Sequence, residues 1–242
     1  MSEAEKATLV VGADSDMGSE IIKGLSGVVI AHYCMYEEKL ADLSGDGRKI
    51  VAVKGDLSSV EGINAFIGEV SSLGFEIDKL VHLPAAPAAP ARFRDFDEAR
   101  FSRDFNISLM SAALICKAFL PAMAKRKFGR VVFMLTSYNI GVPPKFLTNY
   151  VVCKYALEGL MKSLAAEYAS KGITVNGTAP SMAETKFLST LPGLSIEQNA
   201  NANPTGRNAT PADIAPTVLH LLSDNNEYIT GAVVPITGGS AF

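Results

Sequence analysis

Short apolar runs rich in β-branched residues alternate with longer amphipathic segments over almost the whole chain. The apolar runs predict strands at residues 7–11, 27–33, 49–53, 80–83, 130–135, 173–176 and 232–236. The amphipathic segments predict helices at 18–25, 37–43, 60–73, 101–124, 149–170 and 211–222. Strands that are apolar throughout are typical of parallel sheets, which are buried on both faces. The alternation therefore predicts an α/β protein, a doubly wound parallel sheet of about seven strands with helices on both faces.

Composition excludes several classes of protein. The chain has 242 residues, of which 48% are hydrophobic, and a net charge of −3. That content argues against disorder, and the charge argues against a nucleic-acid-binding protein. Three scattered cysteines predict neither disulfides nor a metal site. The acidic N-terminus and the lack of an apolar stretch of membrane-spanning length predict a reduced, cytoplasmic protein with no membrane contact.

The chain is expected to form one Rossmann-type domain over residues 1–242, because it contains neither an internal repeat nor a low-complexity linker. Residues 181–210 are the least regular part and are rich in Ser, Asn, Pro and Gly. Ligands of such sheets bind beyond the carboxyl ends of the strands, where the strand order reverses. A segment that follows the sixth strand would lie over this crevice, so residues 181–210 are predicted to be a substrate lid.

The turn after the first strand contains two glycines, Gly12 and Gly18. Glycines at this place usually let the backbone approach a phosphate at a helix N-terminus, although a tight turn with Asp14 or Ser15 as helix N-cap explains them equally well. Asp16 lies in the same loop, and its carboxylate would repel a pyrophosphate unless it turns towards water. Residues 33–36, at the end of the second strand, contain neither an acid for an adenosine ribose nor an arginine for a 2′-phosphate.

Tyr150 and Lys154 are four residues apart near the start of a predicted helix, so both side chains lie on one face. A neighbouring ammonium favours the phenolate and is expected to lower the pKa of Tyr150. The pair would then donate or accept a proton near neutral pH. Ser137, at the end of the fifth strand, and Asn106, in the preceding long helix, complete a succession of polar residues.

This succession resembles the short-chain dehydrogenase/reductase family in its single-domain form, and in particular 3-oxoacyl-acyl-carrier-protein reductases. The resemblance covers essentially the whole chain. Further matching segments are Leu120-Pro121, Gly129-Arg130, Gly172-Ile-Thr-Val-Asn176, Ala179-Pro180, Gly206-Arg207, Pro211-Ala-Asp213, Tyr228-Ile-Thr-Gly231 and Gly238-Gly239. Three segments depart from the family pattern: Asp16 in the glycine turn, His82-Leu83-Pro84-Ala85 after the fourth strand, and Pro180-Ser181 after the sixth.

The resemblance implies a hydride exchange between NADH or NADPH, not distinguished, and a carbonyl or secondary alcohol. Tyr150 would exchange the proton, Ser137 would bind the substrate oxygen, Lys154 would hold the nicotinamide ribose, and Asn106 would anchor a relay water. The implied cofactor-binding residues, besides Tyr150 and Lys154, are Gly12, Ser15, Met17, Gly18, Asp56, Leu57, Ala85 and Thr185. Asp56 equally suits a cap of the next helix. Thr136 competes with Ser137: counting forward from Gly129 favours Thr136, and counting back from Tyr150 favours Ser137, which we prefer. His82 is more often a packed residue than a general base.

The resemblance also suggests the partners of the protein, and its departures from the family pattern suggest an alternative function. The substrate would be a small carbonyl compound or an acyl thioester, and an acyl carrier protein could dock on the basic run Lys125-Arg126-Lys127. This run equally suits a solvated helix end. A homotetramer is expected, built by the two long helices and by the C-terminal strand with residues 238–242. Because of Asp16 and residues 33–36, the alternative is a degenerate family member with weak or no cofactor binding that acts as a binding or structural subunit.

Overall fold

The computed structural model describes residues 4–87 and 89–241. Its seven strands are β1 (Lys6–Val11), β2 (Gly27–Tyr33), β3 (Arg48–Lys54), β4 (Glu76–His82), β5 (Gly129–Met134), β6 (Ile173–Pro180) and β7 (Val233–Ile236). They form one sheet in the order β3-β2-β1-β4-β5-β6-β7, and every neighbouring pair is parallel. The order reverses between β1 and β4, which opens a crevice at their carboxyl ends. The predicted doubly wound sheet is confirmed.

Helices cover both faces of the sheet. They are α1 (Asp16–Lys23), α2 (Glu38–Ala41), α3 (Val60–Ser72), α4 (Glu98–Phe105), α5 (Ser111–Arg126), α6 (Thr148–Tyr168), α7 (Gly193–Ala202) and α8 (Pro211–Leu222). One core layer packs α3, α5 and α6 against the sheet through side chains such as Phe66, Ile115 and Leu157. The other packs α1 and α8 through Ile21 and Ile214. Both layers are dry and apolar, which stabilises the sheet from both sides.

The predicted helix 101–124 is in fact three helical segments in one continuous run. A π-helical segment, Asn106–Met110, separates α4 from α5. The run Glu98–Arg126 is long and apolar enough to cross a membrane by length and composition, contrary to the sequence-based expectation. Its buried residues, among them Ile115 and Leu120, belong to the core under the sheet. The fold therefore accounts for its apolar character.

Residues 181–210 contain more regular structure than predicted. A 3₁₀ turn, Lys186–Thr190, and α7 lie between the two ends of the segment. The two ends are joined, because Ala183 and Ala209 form an isolated parallel bridge. Glu184 N donates to Ala209 O at 2.8 Å and Ala209 N donates to Met182 O at 3.0 Å. The segment is thus a flap that is pinned at its base.

The basic run 125–127 ends α5 and directly precedes β5, so it lies at the amino end of the strands. Arg126 Nη2 donates to Ile77 O at 2.6 Å, and its Nε lies 3.5 Å from Glu76 Oε2. The crevice lies at the opposite, carboxyl edge, and the six residues of β5 alone span about 20 Å. This geometry disagrees with docking of an acyl carrier protein on the basic run and agrees with a helix end fixed to the sheet.

Candidate active site

A cleft of about 800 Å³ opens at the carboxyl ends of β1 to β6. It is lined by residues that follow these strands, namely Gly12, Cys34, Gly55, Leu83, Thr136 and Ser181. The flap contributes Thr185, Phe187 and Leu188 to the opposite wall. The volume is within the range of ligand and cofactor sites. The predicted positions of the crevice and of the segment over it agree with this arrangement.

The glycine turn is built so that its backbone is open to the cleft. Gly12 has a φ of +82°, which a side chain would strain. A Cβ on Gly18 would lie 2.5 Å from Gly12 O, so the start of α1 can pack against the turn only with glycine there. Ser15 is the N-cap of α1: its Oγ accepts from Gly18 N at 3.0 Å and donates to Gly12 O at 2.7 Å. Ser15 rather than Asp14 therefore caps the helix.

His32 is a residue of this turn that sequence reasoning missed. Its ring is buried at the end of β2, where Nδ1 accepts from Gly12 N at 3.0 Å and Nε2 donates to Gly55 O at 3.2 Å. It joins the ends of β1, β2 and β3 in one hydrogen-bonded row. Burial lowers the pKa of His32, which keeps the imidazole neutral as this pattern requires. A polar residue at the end of an otherwise apolar strand was the available signal.

Asp14 is turned away from the helix. Its Oδ2 accepts hydrogen bonds from three successive backbone amides after β2, those of Cys34 (3.2 Å), Met35 (3.2 Å) and Tyr36 (3.3 Å). The acid that the sequence lacks at the end of β2 is therefore supplied from the glycine turn.

Asp16 faces across the cleft and not into free solvent. Its Oδ1 accepts from Lys39 Nζ at 3.3 Å, and its Oδ2 accepts from Lys186 N, on the flap, at 2.8 Å. Partial burial raises the pKa of Asp16, but the hydrogen bonds from Lys186 and Lys39 outweigh this and hold the pKa below its usual value. Lys39 Nζ also donates to Asp14 O at 2.9 Å. Sequence reasoning missed Lys39, the cation that neutralises Asp16.

Tyr150 and Lys154 both line the cleft from the first turns of α6, as their spacing predicted. Lys154 is buried, its Nζ donates to Met134 O at 2.5 Å, and it lies 5.8 Å from the centroid of the Tyr150 ring. Burial raises the pKa of Tyr150 to about 12, which a hydrogen bond with Thr136 only partly offsets. Burial also lowers the pKa of Lys154 to about 8. The expected lowering of the tyrosine pKa by Lys154 is therefore wrong for the ligand-free protein.

The lining of the cleft favours Thr136 over Ser137 as the hydroxyl beside Tyr150. Both residues are buried, but Thr136 lines the cleft and is the hydrogen-bond partner that lowers the pKa of the Tyr150 phenol, whereas Ser137, in the 3₁₀ turn Ser137–Asn139, does not line the cleft. Thr136 Oγ1 also accepts from Tyr138 N at 3.4 Å. Counting forward from β5 leads to the residue that lines the cleft, whereas counting back from Tyr150 crosses the turn between β5 and α6 and leads to its neighbour.

Asn106 begins the π-helical segment, and its Nδ2 donates to Ser58 O at 3.0 Å in the loop after β3. It does not line the cleft, so this geometry does not support a direct place in a relay. His82 is fully buried, its Nε2 is 2.8 Å from Ser111 Oγ, and burial lowers its pKa to about 3. It is a neutral, packed histidine, as preferred from sequence.

The other predicted cofactor-binding residues lie in the same cleft. Met17, Leu57, Ala85 and Thr185 line it. Asp56 lines it as well, and its Oδ1 accepts from Ser58 N at 2.9 Å, while Ser59 caps α3. Hydrogen bonds from Ser58 lower the pKa of Asp56. No cluster of His, Cys, Asp or Glu in the described part of the chain could hold a metal ion.

This arrangement fits an extended dinucleotide. The open glycine turn and the N-terminus of α1 face the middle of the cleft, and the half-buried Tyr150 and the buried Lys154 lie at one end. Asp16 would have to move for a diphosphate to approach the α1 amides, because its carboxylate lies at the start of α1 and is bonded to Lys39 and the flap. The fold and the site thus define a dinucleotide-dependent oxidoreductase of the doubly wound class.

Comparison with known proteins identifies the family. Residues 26–241 match a family model described as enoyl-(acyl carrier protein) reductase. The chain is 32% identical over 250 residues to the oxidoreductase UcpA of Salmonella typhimurium, with 97% of this chain and 94% of that protein covered. It is also 32% identical over 250 residues to the 3-oxoacyl-[acyl-carrier-protein] reductase FabG of Pseudomonas aeruginosa, with 99% and 98% covered.

A solved structure of a candidate NAD(P)-dependent gluconate 5-dehydrogenase from Beutenbergia cavernae, with NADP bound at low occupancy, has a TM-score of 0.88 and 27% identity. The match covers 98% of this chain and 96% of that one. The chain belongs to the short-chain dehydrogenase/reductase family, and it is an NAD(P)-dependent oxidoreductase. The similar proteins carry different substrate names, so the family alone leaves the substrate open.

Proposed function

We propose that the protein interconverts a carbonyl group and a secondary alcohol, with Tyr150 as the proton donor and acceptor. The observation that carries this proposal is that Thr136, Tyr150 and Lys154 line one cleft with the glycine turn, where Lys154 Nζ donates to Met134 O and lies 5.8 Å from the centroid of the Tyr150 ring. A bound nicotinamide dinucleotide supplies or accepts the hydride at the carbonyl carbon. Because burial raises its pKa to about 12, Tyr150 carries a proton that it can give to the carbonyl oxygen in reduction.

Thr136 holds the substrate oxygen beside that phenol by hydrogen bonding, in the role first assigned to Ser137. Lys154 is held by Met134 O at the back of the site and would hold the nicotinamide ribose. Gly12, Ser15, Met17 and Gly18 would take the diphosphate, Asp56 and Leu57 the adenosine, and Ala85 and Thr185 the nicotinamide half. Asn106 keeps the π-helical segment attached to the loop after β3, and its role as the anchor of a relay water stays a prediction.

The walls around Tyr150 favour a carbonyl flanked by apolar groups. Its ring lies 6.4 Å from that of Tyr138 and 5.8 Å from that of Phe187, measured between centroids. Leu147, Leu188 and Leu191 complete this part of the lining. Basic groups other than Lys154 lie around the other half of the cleft: Lys39 and Lys186 lie beside Tyr36, and Lys54 and Arg103 lie near Cys34. A ketone or a 3-oxoacyl thioester suits this end better than a carboxylate-bearing sugar acid.

The remaining expectations stay proposals. We propose one domain over residues 1–242, of which Met1–Glu3, Ala88 and Phe242 lie outside the described residues, with the flap 181–210 as the lid of the substrate site. An acyl carrier protein, if it delivers the substrate, would approach the cleft mouth at the carboxyl edge. A cytoplasmic location and a homotetramer complete the proposal.

The deciding experiment is Tyr150→Phe with a ketone and a 3-oxoacyl thioester as substrates. Phe keeps the ring packing and removes the proton, so turnover should fall at least ~100-fold while NADH binding persists. Tyr168→Phe, at the other end of α6, is the matched control and should keep full activity. Near-normal turnover of Tyr150→Phe would remove this tyrosine from the mechanism.

A binding or structural subunit is the second candidate, and the bridge that Asp16 makes to Lys39 and the flap favours it. Titration of the wild type with NADH and NADPH separates the two functions. Saturable binding supports the oxidoreductase, whereas binding of neither at millimolar concentration supports the degenerate alternative.

A further inference from the structure

Three consecutive amides after β2 form a concave row of donors that points at one carboxylate oxygen. Cys34 N, Met35 N and Tyr36 N all donate to Asp14 Oδ2, at 3.2 to 3.3 Å. Successive amides that converge in this way form a nest, a backbone site that binds anions. In this protein the nest is filled by a side chain of the chain itself.

The nest and its acid are part of the cleft, since Asp14, Cys34, Met35 and Tyr36 all line it. It lies beside the glycine turn, on the side away from Tyr150, so the adenosine half of a dinucleotide would lie against it. Among the described residues, Asp14 Oδ1 has no hydrogen-bond donor. It can therefore accept a hydrogen bond from a ribose hydroxyl, as a neutral diol requires.

The basic groups near the nest do not cancel the negative charge of Asp14. Lys39 Nζ is held between Asp14 O and Asp16 Oδ1, so its charge is already matched. At Cys34, burial raises the pKa of the thiol, and the charges of Asp56 and Asp14 raise it further, more than Lys54 and Arg103 lower it. At the Cys34 thiol the two carboxylates therefore outweigh these two basic groups, and Lys186 Nζ, on the flap, lies 5.8 Å from the centroid of the Tyr36 ring.

We infer that Asp14 is a specificity-determining residue that makes the protein select NADH over NADPH. A 2′-phosphate would meet a carboxylate where a phosphate needs donors, and the amides that could serve it are already taken. The adenosine ribose of NADH has free hydroxyls, and these can donate to Asp14 Oδ1. The inference rests on the proposed placement of the cofactor and goes beyond it, because it concerns only the ratio of the two affinities.

The test measures dissociation constants for NADH and NADPH by titration of the wild type and of Asp14→Asn. Asn keeps an oxygen for the three amides and loses the charge. The wild type should bind NADH at least ~10-fold more tightly, and Asp14→Asn should shrink that ratio at least ~5-fold, mainly through tighter NADPH binding. Asp42→Asn removes an equal charge from the exposed end of α2 and should leave the ratio unchanged.

Adenosine 5′-monophosphate and adenosine 2′,5′-bisphosphate, tested as competitors, separate this inference from the proposed reaction because they need no turnover. Adenosine 5′-monophosphate should bind the wild type more tightly than adenosine 2′,5′-bisphosphate does. In Asp14→Asn the affinity for the bisphosphate should increase. Equal or tighter binding of NADPH by the wild type would overturn the inference, even if Tyr150→Phe behaves as proposed. An equal gain for both dinucleotides in Asp14→Asn would also overturn it, since it would show only general charge relief.

Discussion

Tyr150 and Lys154 show at the residue scale how burial decides the chemistry of a pair. Helical spacing predicted correctly that both side chains reach one site. Their ionisation could not be predicted from spacing, because removal from water disfavours both charged forms. Burial therefore raises the pKa of Tyr150 to about 12 and lowers that of Lys154 to about 8.

Lys154 makes stability depend on pH in a defined direction. Between pH 8 and 10.5 the folded protein binds fewer protons at Lys154 than the unfolded chain, so its contribution to the free energy of unfolding rises with pH. Across this window the difference between the wild type and Lys154→Met should change by about 3 kcal/mol in favour of the wild type. Urea unfolding at several pH values measures it, with the exposed Lys162→Met as control. A difference that stays constant with pH would contradict this prediction.

Thr136 and Ser137 are adjacent hydroxyls with different surroundings, and their exchange for Ala distinguishes them. Thr136→Ala should lower kcat/KM at least ~100-fold, as expected for a donor that positions a reacting oxygen. Ser137→Ala should change it less than about threefold, because Ser137 does not line the cleft. Steady-state kinetics with one substrate at fixed pH compare the two. The opposite ranking would restore Ser137 to the catalytic position.

At the scale of elements, Asp16 joins the start of α1 to the flap. Its carboxylate accepts from Lys186 N and lies beside Lys39, so the free cleft is closed across its middle. A diphosphate that approaches the α1 amides meets this charge first. Screening by salt and water limits the repulsion to far less than its value in a dry interior.

Asp16→Gly should therefore tighten dinucleotide binding by about 1–2 kcal/mol, roughly 5- to 30-fold. It also leaves Lys39 available to the diphosphate. NADH and NADPH should gain equally, unlike in Asp14→Asn, since both contain the diphosphate. Isothermal titration measures the dissociation constants, and Glu20→Gln on α1 is the charge-matched control. Unchanged or weaker binding would show that Asp16 is not an obstacle to the cofactor.

At the scale of the whole molecule, an exposed apolar patch on α6 and the edge strand β7 are the surfaces proposed for assembly. Val152 and Tyr155 on α6 are 43% and 44% exposed. β7 is the last strand in the sheet order, so it has a neighbour on one side only. Phe242, which was predicted to contribute to this second surface, lies outside the described residues. Two such surfaces on one chain would give the proposed closed tetramer with two kinds of interface.

Light scattering at micromolar concentration should give the mass of a homotetramer. Val152→Glu with Tyr155→Glu should reduce it to a dimer, because charge would be buried in the α6 interface. Lys23→Glu, on the exposed surface of α1, should keep the larger mass. A monomeric wild type would contradict the proposed assembly.

The sequence alone was sufficient for the seven strands, most of the helices and the parallel arrangement of the sheet, but not for α7 or the π-helical segment. Apolar strands, amphipathic helices and their alternation are local patterns, and together they predict the parallel sheet, the crevice at the carboxyl ends of its strands and the segment over it. The helical spacing of Tyr150 and Lys154 is likewise local. The ends of the elements were predicted less accurately. The fourth strand was expected to begin at residue 80 but begins at Glu76, and a π-helical segment divides the long helix.

Only the tertiary structure decided which side chains meet across the cleft. Asp14 finds amides 20 to 22 residues away, and Asp16 finds an amide 170 residues away. His32 joins three strand ends, and Thr136 rather than Ser137 reaches Tyr150. No local pattern contains these contacts, because they depend on how separate turns approach one another. Periodicity determines which face is buried, whereas folding of the whole chain determines which polar atoms share the space that remains.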